Sequence, residues 1–290
     1  MKKMVYWMLG LSVFSFSALG LDYLYYTNSC RFSPGNLNTA LHSEIVARAE
    51  EQNIDKNVFA QEYHVLGEGR QCFAFVSADD AYVIKFFKKQ RINKKRWAKH
   101  GNIFRKIHEK RHNTASRWKK LLLETAECYQ LARQDLSDET GVIYTHFNKT
   151  EHFIKPLLIK DGKKTHLVDL NNTSFIVQRK VELTRDRISK LLNEGKKDLA
   201  VDALIQMRDL MLSRTSKGIT DPRQSYGKNF GFIKQSAVQL DVGKISKDPS
   251  LALNPKAEME KLTANLKRWV KKNYPDLYAE FLLKISDSSS

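Results

Sequence analysis

Hydrophobic and polar positions alternate between residues 59 and 87, where Tyr63 and Val65 are followed by Phe73 and Phe75. Side chains of a strand point alternately to its two faces, so this pattern predicts strands with one buried face. Glycines and a run of turn residues separate the apolar stretches, and the last stretch predicts a third strand. The region therefore reads as the start of an antiparallel sheet with tight turns.

The pattern changes to a helical period in residues 88–137 and returns to strands afterwards. Residues 161–163 (DGK) form a hairpin turn signal between two apolar stretches. The elements predicted after the helix are strands at 154–160, 165–169 and 174–180, a helix at 185–213, a loop at 218–228, two short strands and a helix at 255–274. The order of three strands, a helix and further strands indicates an α+β fold.

Composition sets limits on the class of protein. The chain has 290 residues, of which 42% are hydrophobic and 10% aromatic, so it can bury a core in one two-lobed domain or two small ones. Its cysteines, Cys30, Cys72 and Cys128, are odd in number and far apart, which argues against a disulfide framework and a cysteine-based zinc site. Cys72 lies beside alternating phenylalanines and is expected on a half-buried strand.

Charge is concentrated in residues 85–120, which hold fifteen Lys or Arg and a single acid, Glu109. The chain as a whole carries +17, so this block accounts for most of the excess. A local basic block indicates an acidic partner. With Trp97 and Trp118 interleaved, an anionic membrane surface is favoured, an acidic protein or nucleic acid stays possible, and a solvated helix face is the plain alternative.

The first 21 residues hold two lysines, Lys2 and Lys3, followed by an uncharged run that ends at Asp22. A run of this length is at the lower limit for crossing a membrane and also fits a signal peptide. Membrane anchor and cleaved signal are both kept as interpretations. The lysines favour a cytoplasmic N-terminus, which would place the rest of an anchored chain on the other side, so the sidedness is left open.

Two segments that are far apart carry the candidate chemistry. The first is residues 66–70 (LGEGR) followed by residues 82–85 (YVIK), a glycine turn that leads into a strand ending in Lys85. The second is Asn229, followed by a short apolar stretch, and then residues 241–243 (DVG). Glycines allow a backbone to approach a phosphate closely, and amide and carboxylate oxygens suit Mg²⁺.

In this order the two segments resemble the nucleotide site of the protein-kinase-like superfamily, in particular its divergent aminoglycoside phosphotransferase-like and atypical bacterial members. The resemblance spans residues 60–245. It implies that Gly67 and Gly69 cover phosphates and that Lys85 contacts them, while Asn229 and Asp241 hold Mg²⁺ beside ATP.

A helix glutamate should pair with the lysine of the first segment, and either Glu124 or Glu127 could do so, with Glu127 preferred. The family's His-Arg-Asp is absent, because Gln224 stands where the catalytic Asp is expected. Asp221, eight residues before Asn229, is the nearest substitute and would orient or accept the proton of a substrate hydroxyl. Its turn sequence, Asp221-Pro222, also fits an ordinary loop.

The resemblance implies a bilobal kinase-like fold with a reduced second lobe, because few residues follow the last motif. The expected segments are a signal or anchor (1–21), a helical extension (22–58), a first lobe (59–180) with a basic insertion (88–120), a second lobe (181–285) and a tail (286–290). Three functions fit: a kinase acting on a hydroxyl at a membrane surface, a pseudokinase that binds without transfer, and a basic membrane- or nucleic-acid-binding protein with coincidental motifs.

Overall fold

A computed structural model describes residues 32–39, 54–89, 104–221 and 225–287, with the backbone alone over 104–116. The predicted signal or anchor, most of the N-terminal extension, the middle of the basic insertion and the end of the tail lie outside these residues. Within them the chain forms a mixed α/β structure with a large mixed sheet and seven α-helices. None of the helices described is both long and apolar enough to cross a membrane.

Seven strands form the large sheet. They are β1 (Tyr63–Glu68), β2 (Cys72–Ser77), β3 (Tyr82–Phe87), β4 (Val142–His146), β5 (Leu157–Asp161), β6 (Lys164–Val168) and β7 (Phe175–Arg179). In β2 the buried positions are Phe73, Phe75 and Ser77, so the alternation predicted from the sequence is confirmed. Cys72 begins this strand, is partly buried and forms no disulfide, as expected.

The strand order is β4-β7-β3-β2-β1-β5-β6, and all neighbours are antiparallel except β1 and β5. The predicted hairpin at 154–169 is present as β5 and β6, but it joins the sheet beside β1, on the side away from β7. Strand β7 pairs with β3 on one side and with β4 on the other. Strand β4 was not predicted from the sequence. Residues 142–146 are almost all buried, so they show no alternation to predict a strand.

Helix α1 (Phe104–Asp135) packs on the sheet, and α2 (Ser137–Thr140) follows it directly. The buried positions in α1 include Trp118, Leu122, Ala126 and Tyr129, at spacings of three and four residues. Such spacing places them on one face of a helix. Gly141, with φ of 66°, ends α2 in the left-handed region and turns the chain into β4.

The C-terminal part is mostly helical. Its elements are β8 (Glu182–Leu183), α3 (Thr184–Asn193), α4 (Lys197–Ser216), β9 (Ile219–Thr220), β10 (Phe230–Ile233), β11 (Ser236–Gln239), β12 (Ser246–Lys247), α5 (Pro249–Leu253), α6 (Lys256–Asn273) and α7 (Pro275–Asp287). Leu204, Met207, Leu266 and Phe281, from α4, α6 and α7, are fully buried in one cluster. This cluster is the core of the second half.

Two helix predictions in this half are corrected. The helix predicted at 185–213 is two helices, because the chain turns at Gly195 with φ of 72°. The tail was predicted to begin at residue 286, but α7 continues to Asp287. Ile285, in its last turn, is buried in the C-terminal core.

A third apolar cluster connects the two halves. It joins Ile176 of the sheet and Leu122 of α1 with Ile219, Val242 and Ile245 of the C-terminal half. Val242 is fully buried there. The segment that carries the sequence DVG is therefore fixed by its middle residue against both halves of the molecule.

Candidate functional site

A cleft of about 970 Å³ opens between the β1–β2 turn, helix α1 and the loops that follow β9 and β11. Four of the predicted site residues line it, namely Glu124, Asp221, Asn229 and Asp241. Lys85, Gly67, Gly69 and Glu127 do not line it. The cleft therefore brings together the second predicted segment and only the turn end of the first.

The β10–β11 hairpin sets the spacing between Asn229 and Asp241. The strand pairing continues beyond Phe230 and Gln239, because the Leu240 amide donates to the Asn229 carbonyl at 2.7 Å. The two candidate metal ligands thus flank the open end of one hairpin. This explains why they are twelve residues apart in the sequence and share one cleft.

The side chain of Asp241 is exposed to the cleft and held at one oxygen. Its Oδ1 accepts a hydrogen bond from the Gly243 amide at 3.2 Å. Since Val242 is buried between these two residues, the backbone cannot rotate freely and the carboxylate is held in one direction. The residue is therefore well placed to offer an oxygen to a cation in the cleft.

Asp221 is 4% exposed and lies in a buried polar network. Gln239 Nε2 donates to Asp221 Oδ2 at 2.6 Å and to the Asp241 carbonyl at 3.1 Å. The Arg214 guanidinium donates to Gln239 Oε1 and lies 4.0 Å from Asp221 Oδ2. Burial lowers the pKa of Arg214, and Asp221 partly offsets this. One glutamine thus ties the candidate catalytic carboxylate to the candidate metal-binding loop.

Among the described residues, Lys85 donates hydrogen bonds only to neutral oxygens. Its Nζ donates to Gln178 Oε1 at 2.7 Å and to the Leu240 carbonyl at 3.3 Å. Burial lowers the pKa of this lysine, while Cys72 and Asp241 act in the opposite direction. The ammonium therefore lies next to the residue that precedes Asp241, in surroundings that give its charge little compensation.

No carboxylate of the described residues lies within the 4.0 Å limit of an ion pair with Lys85, so neither Glu124 nor Glu127 is its partner in this structure. Both glutamates are exposed on α1, and Glu124 faces the cleft. The helix instead presents Tyr129 to the lysine, with 6.0 Å between Nζ and the ring centroid. The predicted pairing is corrected: the face of α1 that reaches Lys85 carries a phenol, because the glutamates fall on a different side of the helix.

The glycine turn is anchored by a second lysine, Lys88. This side chain is buried, and its Nζ contacts Glu68 Oε1 at 2.5 Å and the Gly69 carbonyl at 2.8 Å. The Gly69 amide donates to the Cys72 carbonyl at 2.9 Å. Nothing lies within 4 Å of where a Cβ of Gly67 would be, so the backbone on that side is open to a ligand.

Metal binding would depend on few protein ligands. Among the described residues no group of three or more His, Cys, Asp or Glu side chains is arranged to hold a metal ion. Asn229 and Asp241 offer an amide and a carboxylate oxygen, which are hard donors. This donor set fits Mg²⁺, which usually keeps several waters and takes one or two carboxylates with phosphate oxygens.

Sequence reasoning missed the residues that support the site. These residues are polar and lie on strands and helices for which the sequence pattern predicted only secondary structure. They are Gln178, Gln239, Arg214 and Tyr129. Apart from the contact of Gln239 with the nearby Asp241 carbonyl, each of them contacts a group that is distant in the sequence, so no local pattern signals its role. One local signal was available for Gln239. It lies two residues before Asp241, and in a strand the side chains of residues i and i+2 point to the same face.

Comparisons with known proteins give a coarse result. No protein-family model matches the chain, and no curated protein matches it. Among solved structures, the bifunctional kinase-methyltransferase WbdD matches with 15% identity and a TM-score of 0.32, over 74% of this chain and 43% of that one. A co-crystal structure of WbdD with the kinase inhibitor LY294002 matches with 16% identity and a TM-score of 0.33, over 76% of this chain and 44% of that one.

Monomeric WbdD matches with 13% identity and a TM-score of 0.31, over 84% of this chain and 62% of that one. The chain thus spans less than half of the first two WbdD chains and under two thirds of the third. The mixed α/β architecture is compatible with a kinase-like fold. Likeness at this level carries no argument about activity.

Proposed function

We propose that the protein is a bilobal, kinase-like phosphotransferase that binds ATP with Mg²⁺ and transfers a phosphoryl group to a hydroxyl. The observation that carries the proposal is that Asp221, Asn229 and Asp241 line one cleft beside the tip of the β1–β2 turn. Phosphoryl transfer relies mainly on positioning and charge neutralisation, and these residues supply oxygen ligands and a carboxylate for that purpose.

The topology supports the same proposal. A glycine turn joins β1 to β2, Lys85 stands on β3, and helix α1 connects β3 to β4. Strands β1, β2, β3, β7 and β4 are consecutive neighbours. With β5 and β6 taken as an addition at the edge beside β1, this is the arrangement that the resemblance to kinases implies for a first lobe.

Lys85 would bind phosphate oxygens. Its ammonium is desolvated and, among the described residues, donates only to neutral oxygens, so a phosphate would supply a negative charge beside it. A charge-assisted hydrogen bond of this kind is stronger than one to a neutral oxygen. In an ATP-bound state, Gln178 and the Leu240 carbonyl would hold the lysine in position.

Asn229 and Asp241 would hold Mg²⁺, which when bound neutralises phosphate charge. Asp221 would orient the acceptor hydroxyl and accept its proton. The hydroxyl oxygen forms the new bond to the terminal phosphorus, the bond from that phosphorus to the bridging oxygen breaks, and ADP leaves with its electron pair. Gln239 would keep Asp221 and the Asp241 loop in a fixed relation during this step.

Binding of labelled ATP in the presence of Mg²⁺ tests the first part. Lys85→Ala and Asp241→Ala should each weaken binding by at least about tenfold. Lys261→Ala and Asp276→Ala, which do not line the cleft, are matched controls and should bind like the wild type. Unchanged binding in both Lys85→Ala and Asp241→Ala would contradict the assignment.

Transfer is tested separately by Asp221→Asn, which should retain ATP binding and abolish phosphorylation of the acceptor. A transfer activity that survives this change would remove Asp221 from the mechanism.

A pseudokinase that binds nucleotide without transfer is the second candidate. Two observations favour it: Asp221 Oδ2 already accepts from Gln239, and Lys85 has no carboxylate partner among the described residues. ATP binding with no turnover over a broad panel of acceptors would support it. Turnover that disappears in Asp221→Asn would exclude it.

The protein is also proposed to associate with an anionic partner, which is a membrane surface, an acidic protein or nucleic acid. This proposal rests on the apolar segment 1–21 and the basic residues of 85–120. Flotation with vesicles of phosphatidylglycerol, compared with phosphatidylcholine at low and high salt, tests it, because screening weakens binding to an anionic surface. Equal recovery on both vesicles would contradict the proposed charge-based contact.

A further inference from the structure

The mouth of the cleft carries four basic side chains: Arg70, Arg117, Lys120 and Lys244. All four are exposed, and no described carboxylate lies within the 4.0 Å limit of an ion pair with any of them. They come from three separate parts of the chain, namely the β1–β2 turn, helix α1 and the residue after Gly243. The fold therefore gathers these charges around one opening.

The lining of the cleft includes a residue proposed to contact the acceptor and none of the elements expected around the nucleobase. No residue of β3, of β7 or of the segment 180–183 that links the two halves lines the cleft. Lys85, the candidate contact for nucleotide phosphates, is also outside the lining. Asp221, which would receive the proton of the acceptor hydroxyl, does line it. Asn229 and Asp241 line it as well, so the cleft holds the reacting centre with room for an acceptor, and the elements expected around the base of the nucleotide lie outside it.

We propose that the acceptor is a hydroxyl compound that also carries a phosphate ester or a similar anionic group, held by Arg117, Lys120 and Lys244. This inference rests on the proposed function and adds the chemical class of its substrate. Arginine and lysine are the side chains that bind phosphate best in proteins, through charge-assisted hydrogen bonds. Three cations around one mouth would select an anionic acceptor over its neutral parent.

The cleft also gives the acceptor an apolar wall. Trp118 and Leu121, from the same stretch of α1 as two of the cations, line the space beside them. Trp118 is buried and its Nε1 donates to the Lys88 carbonyl at 3.2 Å, which fixes the ring. A small polyol phosphate could place its carbon skeleton against this wall and its ester among the cations.

Isothermal titration calorimetry with glycerol 3-phosphate and glycerol as a matched pair tests the inference, with the full chain saturated with ADP and Mg²⁺. The ester should bind and glycerol should not. In the variant Arg117→Gln/Lys120→Gln the affinity for the ester should fall by about tenfold or more, because two contacts to the anion are lost. The affinity for ADP should change by less than about twofold, since the acceptor and not the nucleotide is the proposed ligand of these cations.

Lys119→Gln is the matched control, because Lys119 is exposed between the two substituted residues and does not line the cleft. It should bind the ester like the wild type. A parallel measurement with vesicles of phosphatidylglycerol separates the sources of the anion: binding of vesicles alone, lost in the double variant, indicates a lipid headgroup, and binding of the free ester indicates a soluble substrate. Either result supports an anionic acceptor.

Equal binding of ester and glycerol would overturn the inference, as would a double variant that loses ADP affinity as much as ester affinity. Both outcomes leave the proposed nucleotide site intact if ADP still binds to the wild type. If ADP does not bind to the wild type, the proposed function fails, while ester binding lost only in the double variant would still establish an anion site at the mouth.

Discussion

The two halves of the candidate site, one around Asp221 in the cleft and the other around Lys85 outside its lining, are organised differently. On the C-terminal side, Arg214, Gln239, Asp221 and the Asp241 loop form a buried hydrogen-bonded network in which Arg214 and Asp221 face each other, and Arg214 Nε has no hydrogen-bond partner among the described residues. On the N-terminal side, Lys85 is desolvated, and its hydrogen bonds within the described part of the chain go only to neutral oxygens. The first arrangement pairs a buried positive charge with a buried negative charge in the absence of a ligand, whereas the ammonium of Lys85 forms no ion pair with a carboxylate of the described residues.

This difference indicates a division of roles. A buried hydrogen-bonded network resists rearrangement and suits groups that must keep a fixed position during a reaction. An incompletely neutralised lysine gains most when an anion arrives. The comparison therefore predicts that substitutions on the C-terminal side reduce stability, whereas those on the N-terminal side mainly reduce ligand binding.

The largest effect is expected for Arg214→Met. The substitution removes the cation that lies 4.0 Å from the buried Asp221 carboxylate and should lower the free energy of unfolding by about 4 kcal/mol. Urea unfolding followed by circular dichroism measures this. The double variant Arg214→Met/Asp221→Asn should recover a large part of the loss. If the second substitution recovers none, the charge pairing is not the cause.

A matched pair of glycines gives the next effect. A Cβ on Gly231 would lie 2.3 Å from the Glu182 carbonyl oxygen and 2.5 Å from Val181 Cγ1, so Gly231→Ala should cost about 3 kcal/mol. Gly67 has nothing within 4 Å of that position, so Gly67→Ala should change stability by less than about 1 kcal/mol.

The same two variants also separate folding from binding. Gly67→Ala should weaken ATP binding by roughly tenfold, because the added methyl group keeps phosphates from the backbone. Thermal unfolding and ATP titration of both proteins measure the contrast. Equal stability losses at the two glycines would break the comparison.

Acid should weaken the N-terminal sheet through His146 of β4. Burial lowers the pKa of this histidine from 6.5 to about 4. Its Nδ1 lies 2.9 Å from the Thr173 carbonyl, which can only accept, so that nitrogen carries the proton of the neutral ring. The unfolded chain takes up a further proton as the pH falls below 6.5 and the folded chain does not until about 4.

The contribution of His146 to stability is therefore complete above pH 6.5 and is lost as the pH falls towards 4. At pH 5 the loss should be about 2 kcal/mol relative to neutral pH. Urea unfolding at a series of pH values measures it. His146→Phe, which cannot titrate, should remove this part of the pH dependence, and an unchanged profile in that variant would assign the effect to other groups.

The smallest change in stability is expected for Lys85→Met. Loss of two hydrogen bonds is offset by removal of a desolvated charge, so the free energy of unfolding should change by less than about 1 kcal/mol. Affinity for ATP with Mg²⁺ should nevertheless fall at least about tenfold. Calorimetry on this variant and on Lys261→Met as control measures both quantities. A loss of stability as large as that of Arg214→Met would make the two sides alike.

Some features were accessible from local sequence. The alternation at Phe73 and Phe75 predicted β2, the DGK turn predicted the β5–β6 hairpin, and the apolar stretch after Asn229 predicted β10. Each depends on the chemistry of neighbouring residues, which a periodicity or a turn signal records. Strand β4 was missed because a strand buried on both faces has no such period.

The candidate site could be predicted only in part, and the reason is distance along the chain. The spacing of Asn229 and Asp241 identified them as a pair because one hairpin joins them. The partner of Lys85 was expected to be Glu124 or Glu127, but the lysine contacts Gln178 on the adjacent strand, 93 residues later. Which helix face meets a strand is fixed by packing over the whole sheet, and no local pattern contains it.

By itself the sequence determined an α+β chain with a glycine turn, a strand-borne lysine, an amide and carboxylate pair and a basic block, because these depend on residue type and spacing. The tertiary structure decided that Asp221 is held by Arg214 through Gln239, that Tyr129 faces Lys85, and that four cations surround one mouth. Such contacts join groups from distant segments, and only the packing of the two halves around their shared apolar cluster brings these groups within bonding distance.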